Sequence, residues 1–180
     1  SRRGCPLRAL TMTGRKTAAD FHPAILEIFD GYVHGKLSKR EFIERAAKYA
    51  AAGVTGAMIF NQLRPDYALA QQVKPDDPAI RTERPSVPSP KGHGAISGLL
   101  AMPAKAKGKL PAVLVIHENR GLNPYIEDVA RRLAKAGYLA FAPDALTPVG
   151  GYPGNDDKGR ELQAKLDPRK LFEDWVASFD

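Results

Sequence analysis

The residues best suited to chemistry in this 180-residue chain lie in the segment 117–121, His-Glu-Asn-Arg-Gly, at the end of the unbroken apolar run of residues 111–117. Such a run is typical of a strand that is buried on both faces of a parallel sheet. A carboxylate at the end of a buried strand needs a partner, and a histidine and an arginine stand beside it. Two interpretations are open: Glu118 and Arg120 form a solvated loop pair, or they belong to a catalytic edge.

The elements around this segment follow a strand, helix and strand pattern. Residues 96–102 predict a half-buried strand, residues 124–136 predict a helix that Gly137 ends, and residues 138–142 predict the next strand. The helix is expected to turn Val129, Leu133 and Ala136 inward, and Arg131, Arg132 and Lys135 outward. A strand, a helix and a strand within about 30 residues make a βαβ unit, so the C-terminal half is assigned to the α/β class.

The loops that follow the two parallel strands are the expected location of a ligand. Residues 118–123 and residues 144–157 leave the carboxyl ends of adjacent strands. Open α/β sheets bind their ligands at this edge. The glycine-rich residues 150–157 lack the Lys-Ser/Thr pair of a phosphate-binding loop, so we expect a flexible active-site loop there.

Two helices are predicted in the N-terminal half. The first covers residues 21–33, where apolar side chains recur at helical spacing, and Asp20 is placed to cap it. The second begins after Ser38, with Glu41 at the spacing of a capping box, and its apolar segment runs to Leu63. This second helix is interpreted either as a half-buried helix of a folded unit or as part of an export signal.

The export interpretation rests on three features in the right order. Residues 38–43, Ser-Lys-Arg-Glu-Phe-Ile, resemble the twin-arginine consensus with lysine in place of the first arginine, and a moderately apolar segment follows. Residues 68–70, Ala-Leu-Ala, then form a small-x-small site before Gln71. The expected location is the bacterial periplasm if this signal works and the cytoplasm otherwise. The apolar segment is shorter than the roughly 20 residues that span a bilayer, so a stable membrane anchor is not expected.

The prolines divide the chain. They cluster before and within residues 71–91, where charges of both signs also occur, so this segment is predicted to be an extended linker or an edge strand. We therefore expect three parts: a helical extension at residues 1–70, a Pro-rich linker at residues 71–91, and an α/β domain at residues 92–180.

Charge and composition argue against several classes of protein. The net charge is +7, and most of the excess lies in residues 1–90, which carry 14 Lys and Arg against 9 Asp and Glu. Aromatic residues make up only 8% of the chain, and no zinc-finger, helix-turn-helix or RNA-binding signature occurs, so no nucleic-acid partner is expected. The single cysteine, Cys5, excludes an intramolecular disulfide and a cysteine-built zinc site.

No metal is expected either. His22, His34 and His93 are scattered without the spacing of metal ligands. Asp156 and Asp157 alone are poor evidence for a calcium site.

The C-terminal half resembles the dienelactone hydrolase family, whose carboxymethylenebutenolidase-like members are α/β-hydrolases that open lactone or ester rings. The segments 115–126, 128–134, 137–138 and 142–144 carry the resemblance by their order and spacing, and it extends over about residues 96–180. It implies a partial α/β-hydrolase fold that contains the first strands and the first helix of a mostly parallel sheet, and the helical extension is similar to that of some bacterial members.

The resemblance also implies roles for individual residues. Glu118 matches the glutamate that contacts the resting cysteine nucleophile and helps to generate its thiolate, and the backbone N–H of Asn119 would be one donor of the oxyanion hole. The arginine that helps the family to bind a substrate carboxylate is missing after Asp144, so Arg120 and Tyr125 are placed by position as substrate-binding candidates. Hydrolysis in this fold needs no cofactor.

The catalytic set that the family uses is incomplete in these 180 residues. Its nucleophile stands in a Gly-x-Cys-x-Gly elbow, and this chain contains no such motif. We therefore expect an ester or lactone hydrolase that is inactive alone, with a small-molecule ester or lactone as substrate if the catalytic set is completed. The alternative is a truncated, non-catalytic product or an interaction subunit that needs a partner or self-associates, because sheet edges and the predicted apolar face around Trp175 would be exposed.

Overall fold

The computed structural model describes residues 16–50, 53–64 and 66–179. Contacts divide the chain into two compact units, Ser1–Pro65 and Asp66–Asp180. This division falls before the expected boundary at residue 70, and it joins residues 71–91 to the second unit. Cys5 lies outside the described residues.

The first unit contains three helices: α1 (Pro23–Val33), α2 (Lys39–Ala46) and α3 (Gly56–Leu63). Short 3-10 helices occur at Ala18–Asp20 and Ala47–Tyr49. The unit has its own core, in which the rings of Tyr32, Phe42 and Phe60 pack with centroids 5.2 to 6.0 Å apart.

Local signals predict one helix start in this unit correctly and another incorrectly. The Ser38 hydroxyl accepts from the Glu41 N–H at 3.2 Å and the Glu41 carboxylate accepts from the Ser38 N–H at 2.7 Å, so the capping box is confirmed. Asp20 does not cap α1, because it pairs with Thr17 in the 3-10 turn, and His22 Nδ1 accepts from the Ala24 N–H at 3.2 Å instead.

The expected continuous second helix is wrong, since α2 ends at Ala46 and α3 begins only after Thr55, which caps it. Gly53 lies between them with φ of 83°, a conformation that a helix cannot contain. Phe42 is fully buried in the packed unit, as the half-buried-helix interpretation expects. The export interpretation stays a prediction. Within the described ranges, no helix is long and apolar enough to cross a membrane.

The second unit is built on a five-stranded mixed sheet. Its strands are β1 (Ile80–Glu83), β2 (Ser86–Ser89), β3 (Gly94–Pro103), β4 (Ala112–Leu114) and β5 (Leu139–Pro143), and β1, β3, β5 and β4 follow one another across the sheet. Its helices are α4 (Tyr67–Ala70), α5 (Pro124–Lys135), α6 (Asp156–Gln163) and α7 (Pro168–Ala177). The chain therefore has the predicted α/β class.

One hairpin forms the antiparallel side of the sheet. Strand β1 pairs with the end of β3 (Ile80 with Pro103), and β2 pairs with its beginning (Ser89 with Gly94). Both pairings are antiparallel and continue the same register, so β1 and β2 act as a single strand. The pairing is interrupted at Arg84 and Pro85, because proline has no N–H to donate. The edge-strand alternative for residues 71–91 is thus observed in residues 80–89.

The βαβ unit is present as predicted. Strands β4 and β5 pair in parallel, and α5 connects them and packs on β3 and β5. Strand β4 is shorter than the apolar run predicts and is not buried on both faces, since Ala112 is exposed and Val113 and Leu114 are half-buried. Ile116, which follows the strand, is 52% exposed. Strand β4 is an edge strand in the described part of the chain, where its one strand partner is β5.

The buried face of α5 differs from the predicted one. Ala130 and Ala134 are fully buried, whereas Ala136, expected inside, is exposed. Arg131, expected outside, is buried because its Nε donates to the Val73 carbonyl at 2.9 Å and its guanidinium pairs with Glu127. The Val73 carbonyl, 58 residues away, and Glu127, one helical turn away, therefore allow a charged side chain to be buried where the periodicity predicts an exposed one.

Candidate functional site

The βαβ unit brings the loops after β4 and β5 to the same edge of the sheet, and the Asp144 carboxylate joins them. It accepts from the backbone N–H of Leu122 at 3.3 Å, of Leu146 at 3.0 Å and of Tyr152 at 2.8 Å. The first donor belongs to the loop after β4 and the other two to the loop after β5. A carboxylate that binds three N–H groups fixes both loops relative to each other.

His117 makes a second connection between these loops. The Ala145 N–H donates to its Nε2 at 3.0 Å, so Nε2 carries no proton and the neutral ring has its proton on Nδ1. Nδ1 lies 2.8 Å from the Glu118 carbonyl oxygen and donates to it. The Trp175 ring packs edge-on against the imidazole with centroids 5.4 Å apart, so Trp175 itself is not bare, whereas Phe179 on the same predicted face is 74% exposed.

Helix α6 packs against the loop that carries Glu118. Gln163 Nε2 donates to the same Glu118 carbonyl at 3.0 Å. A Cβ on Gly159 would lie 2.1 Å from the Arg120 carbonyl oxygen, so only glycine permits this approach. Gly121, with φ of 84°, also has no room for a side chain, because a Cβ there would lie 2.5 Å from Leu146 Cδ1.

The two predicted catalytic residues lie on this loop, and the groups that would act in catalysis are not bound by other described residues. Glu118 and Asn119 are exposed. In the part of the chain that the structure describes, neither the Glu118 carboxylate nor the Asn119 N–H has a hydrogen-bond or ion-pair partner. The loop therefore presents a carboxylate and a backbone donor, next to each other, at the carboxyl end of β4.

Arg120 belongs to a polar cluster around Asp156 that was not predicted from the sequence. Its Nη1 donates to Asp156 at 3.2 Å, and the hydroxyls of Tyr67 and Tyr152 donate to the same carboxylate. Burial, reinforced by the Asp156 charge, raises the pKa of both tyrosines, so both stay protonated as donors. Asn123 Nδ2 extends the cluster by donating to the Tyr67 hydroxyl at 3.2 Å. A substrate-binding role for Arg120 stays a prediction.

Tyr125 lies apart from these groups. It is 47% exposed in the first turn of α5, and the Arg132 guanidinium lies 5.8 Å from its ring centroid. A pocket of about 610 Å³ near this turn is lined by Leu122, Glu127 and Tyr152, among others. None of the four predicted site residues lines it in the described ranges. A role for Tyr125 in substrate binding is therefore a prediction without a described contact.

One further polar pair was missed by sequence reasoning. The Asp174 carboxylate, 1% exposed, accepts from the His93 N–H at 2.9 Å and lies 2.6 Å from His93 Nδ1. This pair attaches α7 to the hairpin turn between β2 and β3. The two residues are 81 positions apart, so no local spacing could have indicated them. No group of three or more potential metal ligands occurs among the residues that the structure describes.

The His117 environment predicts a pH dependence of stability. Burial lowers the pKa of His117 and outweighs the opposing effects of the Glu118 carbonyl and of Asp144, whose Oδ1 is 3.8 Å from Nε2. The unfolded chain therefore binds a proton more readily than the folded one below the ordinary histidine pKa of about 6.5. The contribution to stability is complete above that pKa and is lost as the pH falls through the lowered pKa of the folded state.

We expect the free energy of unfolding to fall more between pH 7 and pH 5 in the unmodified chain than in His117→Gln, which has no group to titrate. Urea unfolding at both pH values measures this difference. The comparison removes the contributions of the other histidines, which both proteins share. An equal fall in the two proteins would contradict the prediction.

Comparisons with known proteins agree with the region of resemblance. Residues 96–177 match the model described as "Dienelactone hydrolase family", and residues 12–49 match a model described as "YqhI-like". An Escherichia coli protein named "Putative hydrolase fragment YghX" is 64% identical over 115 residues, which are 64% of this chain and 98% of that protein.

Longer relatives share only part of their length with this chain. A "Putative carboxymethylenebutenolidase" of Methylorubrum extorquens is 38% identical over 92 residues, which are 48% of this chain and 31% of the relative. The chain spans between 24% and 38% of the carboxymethylenebutenolidases that it matches here. The crystal structure titled as a putative dienelactone hydrolase from Klebsiella pneumoniae is 34% identical with a TM-score of 0.45, over 56% of this chain and 43% of that one.

Proposed function

Because this chain belongs to the dienelactone hydrolase family, we propose that it forms the N-terminal part of a hydrolase that cleaves small carboxylic esters or lactones. The observation that carries the proposal is the fixed loop at the carboxyl end of β4. It holds the Glu118 carboxylate and the Asn119 N–H side by side without partners among the described residues. Asp144 and His117 bind this loop to the loop after β5.

In the proposed reaction these two groups act on a cysteine that lies outside the 180 residues. Glu118 helps to generate the thiolate, which attacks the ester carbonyl carbon. The Asn119 N–H donates to the oxygen on which negative charge develops. The alcohol leaves with a proton, and water then hydrolyses the thioester and restores the thiol. No metal or organic cofactor takes part in these steps.

We propose that the 180 residues alone do not turn over substrate. They contain no Gly-x-Cys-x-Gly elbow. The missing nucleophile, aspartate and histidine would be supplied by further residues of a longer product or by a partner chain. The lengths of the matched carboxymethylenebutenolidases support this, since the chain spans about a third of several of them.

A second candidate function is that of an interaction subunit, and the open face of the sheet favours it. A groove of about 360 Å³ on this face is lined by apolar side chains that include Val87, Leu100 and Phe141. Phe179, 74% exposed, also lines it. A partner chain or a second copy that covers the groove would remove this apolar surface from water.

Export to the periplasm is proposed on the sequence alone. Residues 38–43 and the small-x-small site at residues 68–70 support it. The folded first unit competes with it, because Phe42 is buried in that unit and a signal must be accessible to be recognised.

Native and denaturing mass spectrometry of the product of its own gene, purified from its own cells, tests these proposals together. We expect either a polypeptide well above 19.6 kDa or a stable complex that contains a second chain. Loss of everything before Gln71 would support export. A lone chain of 19.6 kDa without a partner would contradict the hydrolase proposal.

The purified product is expected to hydrolyse a chromogenic ester, whereas the 180-residue chain alone is not. In the active product, Glu118→Gln should lower kcat at least 100-fold, since the thiolate then lacks the group that helps to form it. Glu83→Gln is the matched control, because Glu83 is an exposed residue of β1, and it should leave kcat unchanged. Equal activities of the two variants would exclude the proposed role of Glu118.

A further inference from the structure

The backbone carbonyl oxygen of Glu118 accepts hydrogen bonds from two side chains. His117 Nδ1 lies 2.8 Å and Gln163 Nε2 lies 3.0 Å from its oxygen. A carbonyl oxygen has two lone pairs, so two donors satisfy it completely. Because the Ala145 N–H donates to His117 Nε2, the imidazole has its proton on Nδ1 and can act only as a donor towards this carbonyl.

The orientation of this carbonyl also fixes the orientation of the next N–H. The described chain contains no cis peptide bond. In a planar trans peptide the C=O and the N–H point in opposite directions. The Asn119 N–H therefore points away from His117 and from α6. Among the described residues it has no acceptor, so it remains available to a ligand.

We propose that His117 and Gln163 are positioning residues that set the direction of the Asn119 N–H so that it can act as an oxyanion donor. This inference rests on the proposed function. Without the two donors the peptide between Glu118 and Asn119 could rotate, and a carbonyl oxygen could then face the developing negative charge. That arrangement would repel the charge instead of stabilising it.

Gln163 makes the position of α6 part of this arrangement. It lies 45 residues beyond Glu118 in the chain, at the end of the helix that approaches the loop through Gly159. Its Oε1 is buried without a hydrogen-bond partner in the described part of the chain. The side chain thus keeps its donor on the Glu118 carbonyl although its own acceptor is unsatisfied.

Residual dipolar couplings of the ¹⁵N-labelled 180-residue chain test the proposal, because they report the direction of each N–H bond. Gln163→Met removes one donor while it keeps the side-chain length and eliminates the unsatisfied oxygen. His117→Asn keeps an amide donor attached to Cγ, where Nδ1 is attached. His117→Gln carries its amide one carbon further out, near the position of Nε2, so that its oxygen can accept from the Ala145 N–H but no donor stands at the position of Nδ1. Amides of β3 and β5 report whether each variant is folded.

We expect the Asn119 coupling to be retained in His117→Asn, to change in His117→Gln, and to fall towards zero when His117→Gln and Gln163→Met are combined. The couplings in β3 and β5 should stay the same. A purely structural role would alter both His117 variants alike, and that result would overturn the proposal. If the double variant fails to fold, the single variant Gln163→Met decides: an unchanged Asn119 coupling contradicts the proposal, and a reduced one supports it.

The turnover-competent product separates this inference from the proposed function. In it, Gln163→Met is expected to lower kcat about tenfold with KM unchanged, less than the 10²- to 10³-fold effect of losing an oxyanion donor outright. An unchanged kcat would overturn the positioning role. A product without any turnover would defeat the proposed function, whereas the direction of the Asn119 N–H would still be decided by the couplings.

Discussion

Replacing Asp144 with alanine is expected to lower the free energy of unfolding of the second unit by about 3 to 5 kcal/mol. The carboxylate accepts from three backbone N–H groups on two loops, and alanine leaves all three without an acceptor. A buried N–H without a partner costs about 1 to 3 kcal/mol. The loops after β4 and β5 would also lose the group that joins them.

Urea unfolding followed by fluorescence measures this effect in the correct unit, because Trp175 is the only tryptophan and lies in the second unit against His117. Asp144→Asn keeps one acceptor oxygen and should lose roughly half as much. Asp76→Ala is the control, since Asp76 is exposed, and it should change stability by less than about 0.5 kcal/mol. A loss below about 1 kcal/mol for Asp144→Ala would contradict the interpretation.

Gly159→Ala is expected to destabilise the second unit by about 2 to 3 kcal/mol although alanine favours helix formation. The added Cβ would lie 2.1 Å from the Arg120 carbonyl oxygen, which is a backbone atom and cannot rotate away. Helix α6 must then move away from the loop, and the Gln163 hydrogen bond to Glu118 should lengthen or break. In the active product, kcat should fall together with stability.

Lys158→Ala on the same helix separates the clash from the change in helix propensity. Its side chain is exposed, and among the described residues it pairs only with Glu161 on α6, so its loss should change stability by less than about 0.5 kcal/mol. Urea unfolding followed by Trp175 fluorescence compares the two variants. If Gly159→Ala were as stable as the unmodified chain, the close approach of α6 to the loop would be wrong.

Local signals were sufficient for much of the fold. The capping box of Ser38 and Glu41 marks the start of α2, and Gly137, with φ of 102°, follows the end of α5. The βαβ order places the loops at Glu118 and Asp144 on one edge, as observed. These predictions depend on contacts between residues close in the sequence or on the geometry of a repeated motif.

The rest of the candidate site depends on contacts between distant residues. Arg131 is buried because Val73, 58 residues away, accepts from it. Gln163 and Asp156 reach the loop after β4 from α6, and their positions carry no spacing signal. The sequence could therefore indicate the segment from His117 to Gly121 as a candidate, but not the contacts that Gln163 and Asp156 make with it.

The Tyr67 hydroxyl links the candidate site to the proposed processing of the chain. Tyr67 precedes the expected cleavage point after Ala70, and its hydroxyl donates to the Asp156 carboxylate that also binds Arg120. Cleavage would remove this donor, whereas the Asp128 carboxylate would keep its hydrogen bonds from the N–H groups of Gln72 and Val73. A matured chain would thus keep its new N-terminus attached to α5 but hold Arg120 less firmly, so maturation would change the site itself.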